Sequence, residues 1–142
     1  MLTISGKALG QKRPLFSDFS VPLPPELHGD DGVTLRQVIE HLVRDEVAAF
    51  KRRQREGRML RVLTTREIVE GAEKGKIASG GSQIEPQEVD PDAAIGTALQ
   101  AFEDGLYIVV VDGHQQRELD RQVFLQPESQ ITFVRLTLLA GG

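Results

Sequence analysis

The order of apolar and polar residues predicts strands at both ends of the chain and helices between them. The segment LTIS at residues 2–5 alternates apolar and polar side chains, which predicts a half-buried strand. A second apolar run over residues 16–23 predicts the partner strand of an opening hairpin. The prolines at positions 22, 24 and 25 end that strand, because proline has no amide proton to donate to a neighbouring strand.

The clearest helix prediction begins at Thr34. Thr34 and Gln37 have the spacing of a capping box, and Val33 with Val38 has the spacing of a hydrophobic staple. We interpret the basic cluster at residues 51–55 as the end of this helix, where cations are favoured by the helix dipole, rather than as a nucleic-acid patch. Apolar residues recur at helical spacing and predict one buried face: Leu35, Val38, Ile39, Leu42, Val43, Val47 and Phe50.

Residues 55–105 form a middle section with short elements of its own. Residues 59–63 are interpreted as a strand, and Thr64 with Glu67 as the capping box of a following helix. The glycine-rich segment 74–82 is interpreted as a loop, because no Lys-Ser/Thr pair follows its glycines as a phosphate-binding loop requires. A last helix in this section is predicted to begin at Asp90-Pro91 and to end at Gly105, with Ile95, Ala98, Leu99 and Phe102 as its apolar face.

The final part of the chain is predicted to be all strand. Residues 106–111 are β-branched or apolar, and the Asp112-Gly113 pair that follows is a strong hairpin-turn signal. Residues 115–119 are predicted to be the return strand. A turn at 127–129 then leads to a last strand from Ile131.

Composition is typical of one soluble globular domain, with 142 residues, 39% apolar and 27% charged. The net charge of −4 gives no positive field that would attract nucleic acid. There is no run of 18 apolar residues and no basic-then-apolar leader, so neither a membrane span nor a signal peptide is predicted. We therefore expect a single cytoplasmic domain over residues 1–142, with no nucleic-acid or membrane partner.

Residues with catalytic or metal-binding potential are few. The absence of cysteine excludes disulfides, thiolate metal sites and a cysteine nucleophile. His28, His41 and His114 are scattered without a second histidine at metal-ligand spacing, and Ser82 lacks the second glycine of a nucleophile elbow. We expect no catalytic residue, no metal site and no bound cofactor, and hence a protein that is not itself an enzyme.

The end of the chain carries the most specific chemistry. The last strand is followed closely by Leu139-Ala140-Gly141-Gly142, and two glycines without side chains can pass through a narrow channel and adopt backbone angles closed to other residues. A remote active site could therefore reach the terminal carboxylate while the folded domain stays outside. The alternative is a frayed terminus with no function.

The closing half of the chain resembles that of ubiquitin. The segments IVVVDGHQQREL at 108–119 and QPESQITFVRL at 126–136 give an apolar strand, a glycine turn, a polar return, a Pro-Glu-Ser turn and a last strand before Gly-Gly. The chain is also similar to the ubiquitin-like modifiers of bacterial operons that encode activating and conjugating enzymes and a metalloprotease. The resemblance is good over 106–142, holds only as a pattern over 1–50 and does not extend to 55–105.

This resemblance implies an α+β protein of β-grasp fold, in which a mixed sheet packs on the first helix, 55–105 is a helical and loop insertion, and 139–142 is a flexible tail. It implies a protein modifier whose conjugation site is Gly142 and whose tail, Leu139, Ala140, Gly141 and Gly142, is recognised by an activating enzyme that uses ATP and Mg²⁺. The other implied partners are a conjugating enzyme, a deconjugating protease of the zinc metalloprotease class, and the target proteins.

One departure from ubiquitin concerns the residues before Gly-Gly. Ubiquitin has arginines there, whereas this chain has Leu138, Leu139 and Ala140. A dedicated activating enzyme is therefore expected rather than one specific for ubiquitin.

The strand at 106–111 also suggests a docking surface. One of its two alternating sets, Ile108 with Val110 or Tyr107 with Val109 and Val111, should be exposed or be covered by the insertion, because a β-grasp sheet usually has one face in water. We take Ile108 and Val110 as the candidate docking patch.

Two other functions remain open from the sequence. A sulfur carrier of cofactor biosynthesis shares the fold, the Gly-Gly end and the adenylation step, but receives sulfur as a thiocarboxylate; such carriers usually have fewer than about 100 residues, which the middle section here exceeds. A non-conjugated β-grasp interaction module is the third possibility. Neighbouring genes for a conjugating enzyme, for cofactor synthesis, or for neither would separate the three.

Overall fold

A mixed five-stranded sheet with helices against one of its faces makes up the body of the molecule. The structure, a computed structural model, describes residues 1–25, 32–52, 57–64 and 89–136. The elements in chain order are β1 (Leu2–Ala8), β2 (Phe16–Val21), β3 (Val33–Thr34), α1 (Leu35–Lys51), α2 (Arg58–Thr64), α3 (Pro91–Glu103), β4 (Tyr107–Val111), β5 (His114–Gln116), β6 (Gln122–Val123) and β7 (Gln130–Arg135).

The last strand lies at the centre of the sheet. The strand order is β2-β1-β7-β4-β5, and β3 with β6 forms a separate two-stranded sheet. β1 pairs in parallel with β7, so that Ile4 lies beside Ile131, whereas β1–β2, β4–β5 and β4–β7 are antiparallel. The chain is therefore a mixed α+β protein in which the first and last strands are neighbours.

The opening hairpin follows the sequence prediction, with a shift in its register. The pairing of β1 with β2 shifts between Ile4 and Gly6, and Gly6 lies beside Phe16. The ring of Phe16 occupies the space where a Cβ on residue 6 would be. Glycine at this position therefore allows an aromatic ring to pack directly on the backbone of β1. The second strand ends at Val21, two residues earlier than predicted.

The predicted start of α1 is confirmed. The Thr34 hydroxyl accepts a hydrogen bond from the Gln37 amide at 3.2 Å, and the Gln37 side-chain oxygen accepts one from the Thr34 amide at 2.9 Å. Both amides would otherwise lack a partner in the first helical turn. The helix ends at Lys51, at the beginning of the basic cluster, and its buried residues are Leu35, Val38, Ile39, Leu42, Val43, Glu46, Val47 and Ala49.

An exposed ion pair joins the start of α1 to the loop after β5. Arg36 Nε lies 3.0 Å from Asp120 Oδ1, and the Arg36 amide donates to the Leu119 carbonyl. The hydrogen bond from the guanidinium holds the pKa of the Asp120 carboxyl below its usual range. Because the folded pKa is lowered, any stabilisation is present above the ordinary aspartate pKa of about 3.9 and is lost as the pH falls through the folded value. An exposed pair of this kind contributes little.

The predicted strand over residues 59–63 is wrong, since these residues belong to α2. Met59, Leu60, Val62 and Leu63 are all buried, and their spacing of one, three and four residues places them on one face of a helix. A short apolar run cannot be assigned by periodicity alone, and methionine and leucine favour helices. The return strand is also shorter than predicted and covers His114–Gln116.

Two predictions for the middle section lie largely outside the described residues. Glu67, the second member of the predicted capping box, is not described, and neither is the glycine-rich segment 74–82. Thr64 is described as the last residue of α2, and its hydroxyl donates a hydrogen bond to the Leu60 carbonyl at 2.6 Å.

α3 begins and ends where the sequence predicts. The Asp90 carboxylate accepts a hydrogen bond from the Asp92 amide at 3.3 Å, and Pro91 is the first helical residue. Gly105, with φ of +76°, turns the chain out of the helix towards β4. Ile95 and Ala98 are buried, and α3 packs against both α1 and α2. Helices from the middle section are thus part of the main core.

The core forms where α1 meets one face of the sheet. We call this face the inner face; it carries Ile4, Val109 and Phe133, each 0% exposed. These three side chains belong to the same buried cluster as the apolar face of α1. The prediction that the first helix packs against the sheet is confirmed.

The predicted hairpin turn between β4 and β5 is present. Asp112 and Gly113 have φ of 49° and 86°, the two positive values that a type I′ hairpin turn requires. The Asp112 carboxylate also accepts the Ser129 hydroxyl at 2.7 Å and the Gln130 amide at 2.9 Å. One aspartate therefore fixes both the hairpin turn and the entry to β7.

Replacing Leu42 by Ala tests the packing of α1. Leu42 is 2% exposed, so its truncation leaves a cavity, and we expect a loss of about 2–5 kcal/mol in the free energy of unfolding, measured by urea denaturation. The matched control is Leu9→Ala, since Leu9 is 65% exposed and its truncation should change stability by less than about 0.5 kcal/mol. Equal effects of the two substitutions would contradict the described core.

Candidate functional site

The predicted conjugation site follows the central strand. β7 ends at Arg135, and Leu136, 38% exposed, is the last described residue. Gly142 and the other predicted tail residues, Leu139, Ala140 and Gly141, lie outside the described residues. The geometry of the site is therefore given by the strand from which residues 137–142 continue and by the surfaces around its end.

Main-chain hydrogen bonds fix the end of β7 on both sides. The Arg135 carbonyl accepts a hydrogen bond from the Leu9 amide at 2.9 Å, and the Leu136 amide donates to the Leu106 carbonyl at 2.9 Å. Leu9 and Leu136 are among the exposed large apolar side chains. Leu136 therefore continues from β7 between the end of β1, where Leu9 is exposed, and the start of β4, where Leu106 is buried.

Two buried polar side chains lie on the inner face of the sheet, at the end of β7. Tyr107 and Arg135 are opposite each other in the β4–β7 register and are 1% and 0% exposed. The Arg135 guanidinium donates from Nη1 to the Val62 carbonyl of α2 at 3.0 Å. The Tyr107 hydroxyl donates to the Ala98 carbonyl of α3 at 2.7 Å, and burial raises the pKa of this phenol well above its usual range.

The candidate docking patch lies on the other face of the sheet, which we call the outer face. Ile108 and Val110 are partly exposed, whereas Tyr107, Val109 and Val111 are buried against the inner core. The register places Val134 beside Ile108, and Lys7 is the neighbour of Val134 on β1. The apolar patch therefore has an exposed cation at its edge.

Next to the patch is an open depression of about 310 Å³. Its lining combines one apolar side chain with polar and charged groups, and it has no enclosing wall of the kind that buries a small-molecule ligand. The lining residues are Lys7, Val110, Asp112, Gly113, Gln130 and Thr132.

Other chemistry is sparse in the part of the chain that the structure describes. Within it, no group of three or more histidine, cysteine, aspartate or glutamate side chains is placed to hold a metal ion. His41 is half-buried on α1 and His114 is exposed on β5, while His28 lies outside the described residues. Among these same residues no helix combines the length and the apolar character that crossing a bilayer requires.

Comparisons with protein-family models, with curated proteins and with solved structures find no match to this chain.

A matched pair of valine-to-threonine substitutions tests the two faces of β4. Val109→Thr places a hydroxyl in the inner core and should cost about 1–3 kcal/mol of unfolding free energy. Val110→Thr has the same shape change and a similar strand propensity, but its hydroxyl can reach water, so we expect a change within about 0.5 kcal/mol. Chemical denaturation of both variants checks this, and a larger loss for Val110→Thr would contradict the assignment of the outer face.

Proposed function

We propose that this chain is a ubiquitin-like protein modifier of β-grasp fold, joined to amine groups of target proteins through the carboxylate of Gly142. The observation that carries the proposal is the central position of β7. This strand is held between β1 and β4, and the sequence that continues from its end is Leu136-Thr137-Leu138-Leu139-Ala140-Gly141-Gly142. A rigid sheet that leads directly into a short tail ending in two glycines is the arrangement that presentation of a terminal carboxylate requires.

The sheet topology supports the β-grasp assignment. In that fold an N-terminal hairpin, a helix and C-terminal strands place the first and last strands side by side and parallel at the centre of the sheet. The order β2-β1-β7-β4-β5 and the parallel β1–β7 pair agree with this arrangement. α1, which packs on the inner face, is in the place of the central helix.

The proposed reaction follows from the chemistry of a carboxylate, which is a poor acylating group. An activating enzyme would join the Gly142 carboxylate to AMP from Mg²⁺-bound ATP and release pyrophosphate. A cysteine thiolate of the enzyme would then displace AMP to form a thioester, and an amine of the target would displace the thiolate to form an amide bond. The modifier supplies the carboxylate and a docking surface, and all catalytic groups belong to its partners.

The partners follow from these steps. They are an activating enzyme, a conjugating enzyme, a deconjugating protease of the zinc metalloprotease class, and target proteins, with the cytoplasm as the place of reaction. The activating enzyme would bind the tail, Leu139, Ala140, Gly141 and Gly142. We assign Ile108 and Val110 on the outer face as the docking patch for these partners, because they are the accessible apolar residues of β4.

Deletion of Gly142 tests the proposal. Incubated with ATP, Mg²⁺ and an extract of its source cells, the tagged full-length chain should form covalent adducts, detected as a mass increase on denaturing gels. The deletion variant should form none, while its melting temperature stays within about 1 °C of the parent value, because loss of one terminal glycine removes little buried area.

Several outcomes would contradict the proposal that this chain is a protein modifier. Adducts formed equally by the deletion variant would exclude Gly142 as the reacting group. A mass change equal to the replacement of one carboxylate oxygen by sulfur, without adducts, would favour a sulfur carrier. If the chain shows no adducts and no mass change, a non-conjugated interaction module is favoured.

A further inference from the structure

Arg135 is a fully buried charged residue at the end of β7. The other inward-facing residues of β7, Ile131 and Phe133, are apolar and 0% exposed, and Arg135 is equally buried. Removing a guanidinium from water is costly, and an apolar side chain of similar volume at a buried ionic position is often as stable or more stable. Apolar packing alone therefore does not account for an arginine at the end of β7.

The contacts of Arg135 explain its presence better. Its guanidinium donates from Nη1 to the carbonyl of Val62 in α2 at 3.0 Å. Its own carbonyl accepts the Leu9 amide, and the amide of the next residue bonds Leu106. One residue thus ties the end of β7 to a helix and, through the backbone, to the chain on both sides of it.

A hydrogen bond from Tyr107 joins the same end of the sheet to a second helix. It is opposite Arg135 in the register, is 1% exposed, and bonds the Ala98 carbonyl of α3 through its hydroxyl. The rings of Tyr107 and Phe133 meet edge-on with their centroids 6.0 Å apart. Both described helices of the middle section are therefore attached by hydrogen bonds to the end of the sheet from which the tail departs.

We propose that Arg135 is a positioning residue that fixes the point from which residues 137–142 leave the domain, by holding the end of β7 against α2. This role of Arg135 rests on the proposed function, because a modifier must present its tail and its outer face to an enzyme at the same time. A fixed departure point lowers the ordering cost of that two-part contact. In this proposal, the helices of the middle section hold the end of β7 in place.

The test compares Arg135→Met with two other variants. Methionine keeps most of the apolar volume and removes the hydrogen bond to Val62. Arg135→Lys keeps the charge and one donor group that can reach this carbonyl, so it should restore part of the effect. Arg36→Met is the matched control, because it removes an arginine hydrogen bond at an exposed site away from the end of β7.

Amide hydrogen exchange reports the position of the strand end directly. In Arg135→Met the amides of Leu9 and Leu136 should exchange about tenfold faster than in the parent chain, because the bonds they make flank residue 135. The amide of Asp112, which bonds Gln130 at the opposite end of the β4–β7 pair, should be unchanged and serves as the internal reference. Unchanged exchange at Leu9 and Leu136, or equal acceleration at Asp112, would overturn the proposal.

The rate of adduct formation separates positioning from folding. We expect kcat/KM for adduct formation to fall about tenfold in Arg135→Met, measured at a temperature at which the variant is folded, with partial recovery in Arg135→Lys and no change in Arg36→Met. If the parent chain forms no adducts, the proposed function fails and the exchange rates alone decide the role of Arg135. If Arg135→Met does not fold, the exchange rates of Arg135→Lys decide it, and parent-like exchange together with parent-like kcat/KM in that variant would overturn the proposal.

Discussion

The parallel pairing of β1 with β7 joins the two ends of the chain, and the rest of the fold depends on it. Six consecutive residue pairs from Thr3–Gln130 to Ala8–Arg135 connect strands separated by more than 100 residues. This pairing unites the opening hairpin and the β4–β5 hairpin in one sheet, and only a joined sheet presents the inner face on which α1 packs. Closing so long a loop is entropically costly, so the pairing needs the buried contacts of Ile4, Ile131 and Phe133 to persist.

The same pairing also holds the backbone at the end of β7. A strand at the centre of a sheet is held along both edges, so its last residue moves less than the last residue of an edge strand would. Leu9 and Leu106 hold the backbone at residues 135 and 136, and α2 holds the Arg135 side chain. In the proposed function, a tail that continues from such a point would be offered to an enzyme while Ile108 and Val110 stay accessible on the outer face.

Local signals in the sequence predicted much of this fold. The Thr34–Gln37 capping box, the Asp90-Pro91 helix start and the Asp112-Gly113 turn are determined by neighbouring residues, and each is present as predicted. The short apolar run of α2 fits both the helical and the strand period, so the strand predicted there from the sequence is wrong. The alternation that starts at Ile131 is enough to place Arg135 on the inner face. Its hydrogen-bond acceptor, the Val62 carbonyl, is 73 residues away in sequence, and no local pattern around Val62 indicates this contact. The docking face and the tail remain predictions from the sequence.

Tandem mass spectrometry of ATP-dependent adducts tests the central claim most directly, because it identifies the bond that forms. Trypsin cleaves after Arg135, and residues 136–142 contain no lysine or arginine, so a target lysine joined to this chain keeps a seven-residue remnant. Our account predicts branched peptides in which the carboxyl group of Gly142 is linked to a lysine Nζ atom of another protein. Adducts linked through any other atom of this chain would contradict it.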